Sequence, residues 1–364
     1  MTSAESQQPT SPPKMMRAAL LRGERDVVIV DVERPVPGPG ELVIRVDAAL
    51  MCGTDAKVYR RGYHARMLAP PCLFGHEYTG VVSAVGEGVD AFAEGDAVVG
   101  GNSAPCGRCA YCRDGRAALC DDLLFVNGAF AEWMLIPQRV VRYNLHARPE
   151  GLAPMIAASI EPIGCVLKGI EMAALRAGES VLILGAGPIG LVFAAEIAAR
   201  GAHAVVFARN AVAAETARRM HAHEVVVGPS IDACRDALLA AAPDTRGYDI
   251  VIDAAGATAT SQAAPSLCHK GGRVLLFGGC SADARVTWEP AHLHYDEIAI
   301  LSSFHHTPRH VAAALDVLAE GRLDISPLLE EPVGLDGVAA ALDAMCDRRL
   351  RGKVPVLPHG AGAG

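Results

Sequence analysis

Residues 181–200 constrain this chain more than any other stretch. Residues 181–184 (VLIL) form a short apolar run, the composition of a strand buried on both faces. The run leads directly into Gly185-Ala186-Gly187-Pro188-Ile189-Gly190, and residues 189–200 then carry a helical pattern. Glycines between a buried strand and a helix permit a turn tight enough to fold the helix back onto the sheet. Pro188 suits the first helical turn, where its missing N–H costs no hydrogen bond. Three glycines, a proline and Glu196 interrupt the apolar segment 181–199, so it reads as this turn and not as a membrane span.

The flanking sequence extends the pattern. Residues 204–207, 224–227, 250–253 and 273–277 read as further short buried strands, with helices over 213–220 and 233–241. Such alternation predicts a parallel sheet covered by helices on both faces. Residues 16–145 read differently, as short β runs such as 42–46, 78–82 and 96–99 broken by Gly and Pro, which predicts an antiparallel, partly closed β domain. After residue 301 come two helical patterns, 309–320 and 335–348, and a terminal strand over 354–357. The first 14 residues are Ser-, Gln- and Pro-rich, neither signal peptide nor anchor, and are expected to be a disordered tail.

A chain of 364 residues can bury two domain cores. Its net charge of −8 leaves no surplus of Lys and Arg to neutralise phosphates, which argues against a nucleic-acid partner. The one basic cluster, Arg348, Arg349, Arg351 and Lys353, reads as a solvated terminal patch. No membrane association is expected, and the cytoplasm is the expected compartment.

Eleven cysteines are present, and Cys106, Cys109, Cys112 and Cys120 crowd into one stretch at C-x2-C-x2-C-x7-C. Without a secretory signal, such crowding points to metal and not to disulfides. Two-residue gaps let thiolates converge on one ion, and four thiolates complete a closed tetrahedral zinc site with no position left for water. The site should therefore be structural; an iron–sulfur cluster is the alternative occupant. Three further pieces carry candidate ligands: Cys52 in CGTD, His76 and Glu77 in GHE, and Glu161 in EP. Each is weak alone. A catalytic zinc needs three protein ligands and an open fourth position.

The order CGTD, GHE, four-cysteine lobe, EP and G-x-G-x-x-G resembles the zinc-containing medium-chain dehydrogenase/reductase superfamily, over residues 16–357. Within it the pattern is similar to the polyol-dehydrogenase-like branch, which includes sorbitol, threonine and aminocyclitol dehydrogenases. The resemblance implies a GroES-like β-rich catalytic domain (residues 15–156 and 302–364) around an inserted Rossmann cofactor domain with a doubly wound parallel sheet (157–301). It implies two zinc ions per subunit, one catalytic on Cys52, His76 and Glu161 and one structural. Glu77 would then be an exchanging ligand or a carboxylate behind the metal, a choice the sequence leaves open. Thr54 matches the family hydroxyl that takes the alcohol proton. Where many relatives carry a relay histidine this chain has Lys57, so Lys57 or a water chain would complete proton release. The implied reaction is hydride transfer between NAD(P) and a secondary alcohol or its ketone, with a polyol, sugar-like or aminocyclitol substrate, in a homodimer or homotetramer. A zinc-free enoyl or quinone reductase of the same superfamily and a non-catalytic binding protein are the competing readings; the retained ligand residues speak against the first, and Thr54 with the glycine turn against the second.

The glycine turn suits a dinucleotide, with the pyrophosphate on the helix N-terminus. NAD enzymes place an acid at the end of the next strand. Here that strand ends in Arg209-Asn210, and an arginine there can pair with a 2′-phosphate, which favours NADP over NAD. Ala254 and Gly278 follow two later strands and resemble the loops that line the cofactor.

Overall fold

The computed structural model describes residues 15–64 and 66–360. The tail expected over residues 1–14 lies outside the described residues. Six parallel strands form one sheet, in the order Glu224–Val227, His203–Ala208, Ser180–Leu184, Tyr248–Asp253, Cys268–Leu276 and Ala299–Ser302. Numbered by position in the chain this is 3-2-1-4-5-6, the doubly wound order, which reverses beside Ser180–Leu184. That strand is buried at every position, as its unbroken apolar run demands. The helix Pro188–Ala199 follows with Pro188 in its first turn and Gly187 as its N-cap. The expected parallel α/β layer is therefore present.

A second body is antiparallel. Its main sheet runs Leu145–Ala147, Ala97–Gly100, Glu77–Val85, Leu42–Leu50 and Pro355–Val356, with Trp133–Ile136 also paired to Leu42–Leu50. A smaller sheet holds the hairpin Met15–Gly23/Asp26–Glu33 and the short strand Cys72–Leu73. The terminal strand pairs Pro355 with Leu50, so the chain closes its first sheet with nearly its last residues. Phe74, Tyr78 and Phe130 share a core with Val338, Leu342 and Val356 from that C-terminal return.

Two helices lie between the sheets and carry part of the site. Ile160–Met172 has little helical signature, because Pro162, Gly164 and Gly169 are poor helix formers. Tertiary burial overrides propensity: Ile163 and Val166 share a core with Ile183, Phe193, Val311 and Leu318. The last two belong to Pro308–Ala319, which packs along Ile160–Met172. Among the described residues no helix is long and apolar enough to cross a membrane.

Candidate active site

The four-cysteine lobe is local. Cys109 N-caps a single helical turn, Ala110–Arg113, and Cys120 follows a short 3-10 turn. All four thiols are free, and their sulfurs lie within 4.8 Å of one another. The closest separations are 3.5 Å for Cys109–Cys112 and 3.9 Å for Cys106–Cys112 and Cys109–Cys120. Four sulfurs about 2.3 Å from a tetrahedral zinc stand about 3.8 Å apart, so this donor set fits the ion. The backbone N–H groups of Arg108 and Cys109 donate to the Cys106 sulfur and hold its thiol down at about 6. Cys109 is lowered as well, whereas burial raises Cys112, to about 12, and Cys120, so the backbone favours a thiolate only on the first two cysteines.

The second group is buried and assembled from distant pieces. Cys52 is the N-cap of the helix Gly53–Arg61; its sulfur accepts the Thr54 N–H at 3.4 Å and its own N–H donates to Asp55 Oδ2 at 2.8 Å. The other oxygen of Asp55 accepts from His76 Nδ1 at 2.9 Å. One buried carboxylate thus fixes both the Cys52 backbone and the His76 ring, and the ring also meets the Cys52 side chain, the juxtaposition a shared metal would need. Burial acts to lower the pKa of His76, but Asp55 and Cys52 outweigh it and hold it well above the usual value. The ligand atoms of Cys52, His76 and Glu77 lie within 4.8 Å of one another.

Glu77 is fully buried and faces Lys353, whose Nζ lies 2.7 Å from Oε1 and 2.6 Å from Oε2. Lys353, expected in a solvated basic patch, is instead 5% exposed and completes the pocket wall. The segment carrying it turns inward to pair with Leu42–Leu50 and takes the lysine along. Glu161 enters in the first turn of Ile160–Met172. Burial pushes its carboxyl up to about 7, with Glu77 adding to the rise and His76 and Lys353 opposing it. Its nearest polar neighbours are loose: Cys165 Sγ at 3.6 Å, His306 Nε2 at 3.7 Å and His305 Nδ1 at 3.8 Å. The structure therefore groups Glu77 with Cys52 and His76, and Glu161 with His305 and His306, around one pocket.

Sequence reasoning missed Asp55, Lys353, His305 and His306. Asp55 was visible as the residue of CGTD that caps the helix from its third position. The two histidines follow an outer strand and have no local signature. Their rings stack with centroids 3.9 Å apart. His305 Nε2 meets Ser103 Oγ at 2.6 Å, and His306 Nε2 donates to Asn102 Oδ1 at 3.1 Å. Burial drives His305 down to about 3 and His306 well below its ordinary value, which disfavours the charged form of both rings. Thr54 is half-buried in the first turn after Cys52. Lys57 is exposed, and its Nζ donates to Gly279 O at 3.3 Å, tying the Cys52 helix to the loop after Cys268–Leu276.

That loop belongs to the glycine-lined crevice at the carboxyl ends of the parallel strands. A Cβ on Gly190 would stand 1.9 Å from Gly185 O, so this position admits only glycine. One on Gly187 would meet nothing, which leaves open space over the N-terminus of Pro188–Ala199, and no side chain caps that helix. Uncapped N–H groups facing open space are what a pyrophosphate needs. Gly278 packs on Gly256, where a Cβ would lie 2.3 Å from the Gly256 nitrogen. Buried Asp253 holds this loop by accepting from Ala255 N, Gly256 N, Thr260 Oγ1 and Ser261 Oγ; Ala254 sits among these bonds. Arg209 is exposed at the end of His203–Ala208, and Asn210 caps the next helix by accepting from Ala213 N at 3.0 Å.

Comparison with known proteins agrees with this geometry. Residues 38–146 match the alcohol dehydrogenase GroES-like domain, and residues 188–320 match the zinc-binding dehydrogenase domain. L-threonine 3-dehydrogenase of Deinococcus deserti is 31% identical over 327 residues, covering 87% of this chain and 92% of the relative. The Shewanella baltica enzyme of the same name is 30% identical, covering 91% and 96%. A protein of Sinorhizobium meliloti assigned as a zinc-binding dehydrogenase, solved bound to NADP, superposes with a TM-score of 0.85 at 30% identity, covering 95% of this chain and all of that one. The chain belongs to the zinc-containing medium-chain dehydrogenase/reductase superfamily, in its polyol- and threonine-dehydrogenase-like branch. It is an NAD(P)-dependent enzyme of the alcohol dehydrogenase class.

Proposed function

We propose that this protein transfers hydride between NADP and a polyhydroxylated secondary alcohol, with Cys52, His76 and Glu161 holding the catalytic zinc and Cys106, Cys109, Cys112 and Cys120 the structural one. The observation that carries the reading is the Lys57–Gly279 contact at 3.3 Å, which joins the helix of the metal group to the glycine loop of the nucleotide crevice. Glu161 is favoured over Glu77 as third ligand because Lys353 already engages both oxygens of Glu77, whereas Glu161 is held only by contacts of 3.6 Å or more. Zinc bound there supplies Lewis-acid polarisation of the alcohol oxygen. The chain's own residues do the rest. Asp55 orients the His76 ring, and Lys353 neutralises Glu77 behind the pocket. Thr54, beside Cys52, receives the alcohol proton, while Lys57 holds the pocket helix against the cofactor loop. The turn Gly185, Gly187, Pro188, Ile189 and Gly190 accepts the pyrophosphate, and Ala254 and Gly278 line the cofactor's path. Asn210 fixes the start of the helix after Arg209, and Arg209 meets a 2′-phosphate.

Residence in the cytoplasm and assembly as a homodimer or homotetramer belong to the same reading; eleven free thiols accord with a reducing compartment. So does the division into a GroES-like catalytic domain over 15–156 and 302–364 and a Rossmann domain over 157–301, supported by the pairing of Pro355–Val356 with Leu42–Leu50. A dehydrogenase screen over polyols, amino alcohols and cyclitols with each nicotinamide tests the activity. Replacing Arg209 by Asp should move the NADP/NAD efficiency ratio at least about tenfold toward NAD, the loss of one charge-assisted phosphate contact. An unchanged ratio would overturn the NADP assignment.

A further inference from the structure

We infer that Cys165 is a further ligand for the pocket's metal, filling the exchangeable position when no substrate is bound. The inference rests on the metal reading above and extends its donor set. Cys165 stands four residues after Glu161 on the helix Ile160–Met172, so the two side chains leave one face of the helix a turn apart. Its Sγ lies 3.6 Å from Glu161 Oε1. A sulfur about 2.3 Å and an oxygen about 2.1 Å from a tetrahedral zinc stand about 3.6 Å apart, so the pair already has the separation that one shared ion sets. Glu161 is 6% exposed, and among the described residues no backbone N–H or hydroxyl donates to it. A buried carboxylate with no stronger partner than a thiol is costly, and a bound cation removes that cost. The thiol stands near enough to Cys52, and Glu161 near enough to His76, for their charges to interact, which sets the pair on the same pocket. Thiols elsewhere in the chain bond the backbone: Cys268 donates to the Ala264 and Arg273 carbonyls, and Cys346 to that of Ala56. Cys165 instead faces a carboxylate. A thiol that binds zinc gives up its proton to solvent, and soft sulfur donors hold this ion well. With Cys52, His76 and Glu161 in place, Cys165 closes the shell and must leave before an alcohol oxygen can enter.

The test is the absorption spectrum of the cobalt(II)-loaded enzyme without substrate, because thiolate-to-cobalt charge transfer reports the sulfurs on the ion. The lobe contributes equally in every variant, so differences between variants come from the pocket. Cys165→Val, close to cysteine in size, should lose about half of the pocket's charge-transfer intensity at equal cobalt content, as two thiolates become one. In a Cys52→Ser background the pocket should keep a charge-transfer band that Cys52→Ser/Cys165→Val lacks. Cys165→Ser keeps a hydrogen bond to Glu161 but offers no sulfur, so it should show the same loss, and it decides if Cys165→Val does not fold. Spectra of Cys165→Val and Cys165→Ser that match the wild type would overturn the ligand while leaving the catalytic metal in place. A wild type that takes up cobalt in the lobe alone would overturn the metal reading as well.

Discussion

The two groups of side chains that could hold a metal are built in opposite ways. The cysteine lobe takes all its donors from a single short stretch, is largely open to solvent and is held by its own backbone N–H groups. The second pocket draws Cys52, His76, Glu77, Glu161 and Lys353 from four separate elements, and buries its carboxylates and its histidine. A local site can be loaded as a unit and acts on the fold around it. A pocket assembled across the chain inherits its geometry from the whole fold, and can keep an open coordination position only because surrounding residues over-determine the others.

The sharpest way to break this comparison is to remove one donor from each group. His76→Ala should cost about a thousandfold or more in turnover, the several kcal/mol attributed to a Lewis-acid metal, while leaving the lobe's zinc in place. Cys109→Ser should empty the lobe, lower the unfolding temperature and leave specific activity of the folded fraction within a few-fold. Metal quantitation beside kinetics reads both, and equal activity losses would mean that the two groups are not separable. Lys353→Met comes next. It strands a fully buried carboxylate, so denaturant unfolding should show about 3–5 kcal/mol less stability, and pairing it with Glu77→Gln should recover most of that. A loss under 1 kcal/mol would show that Glu77 does not depend on this cation.

Asp55→Asn keeps the size of the residue but weakens its hold on the His76 ring. It should reduce zinc affinity or activity about 10–100-fold, measured by competition with a chelator. An unchanged affinity would remove Asp55 from the site. The smallest effect belongs to an exposed pair on the helices behind Glu161. Arg309, with help from His310, holds the Glu171 carboxyl down at about 2, but Glu171 is 52% exposed. A depressed carboxylate stabilises above its unfolded value of about 4.5 and loses that contribution as pH falls toward 2. Glu171→Gln should therefore cost under about 1 kcal/mol at pH 7 and nothing near pH 2, followed by thermal unfolding across that range.

The same contrast explains what was legible in the sequence. The glycine turn and the cysteine lobe encode their function in contiguous residues, so spacing alone reveals them. The alternating strands of the parallel sheet were readable because full burial writes unbroken apolar runs. Cys52, His76 and Glu161 gained meaning only from the order of their motifs. Lys353 and the histidine pair were out of reach: Lys353 pairs with a residue 276 positions away, and His306 with one 204 away, so no local pattern distinguishes them from solvated residues. The helix Ile160–Met172 was hidden for the complementary reason, because its proline and glycines speak against a helix that packing enforces.

The span between Glu77 and Lys353 has a consequence for synthesis. The pocket's carboxylate is synthesised 276 residues before its counter-cation. A chain released before residue 353 carries a buried negative charge that it cannot neutralise and lacks the strand that docks beside it. Such a fragment cannot close the pocket around a metal, whatever else it has folded. The ion pair therefore ties the competence of the reactive centre to synthesis past residue 353.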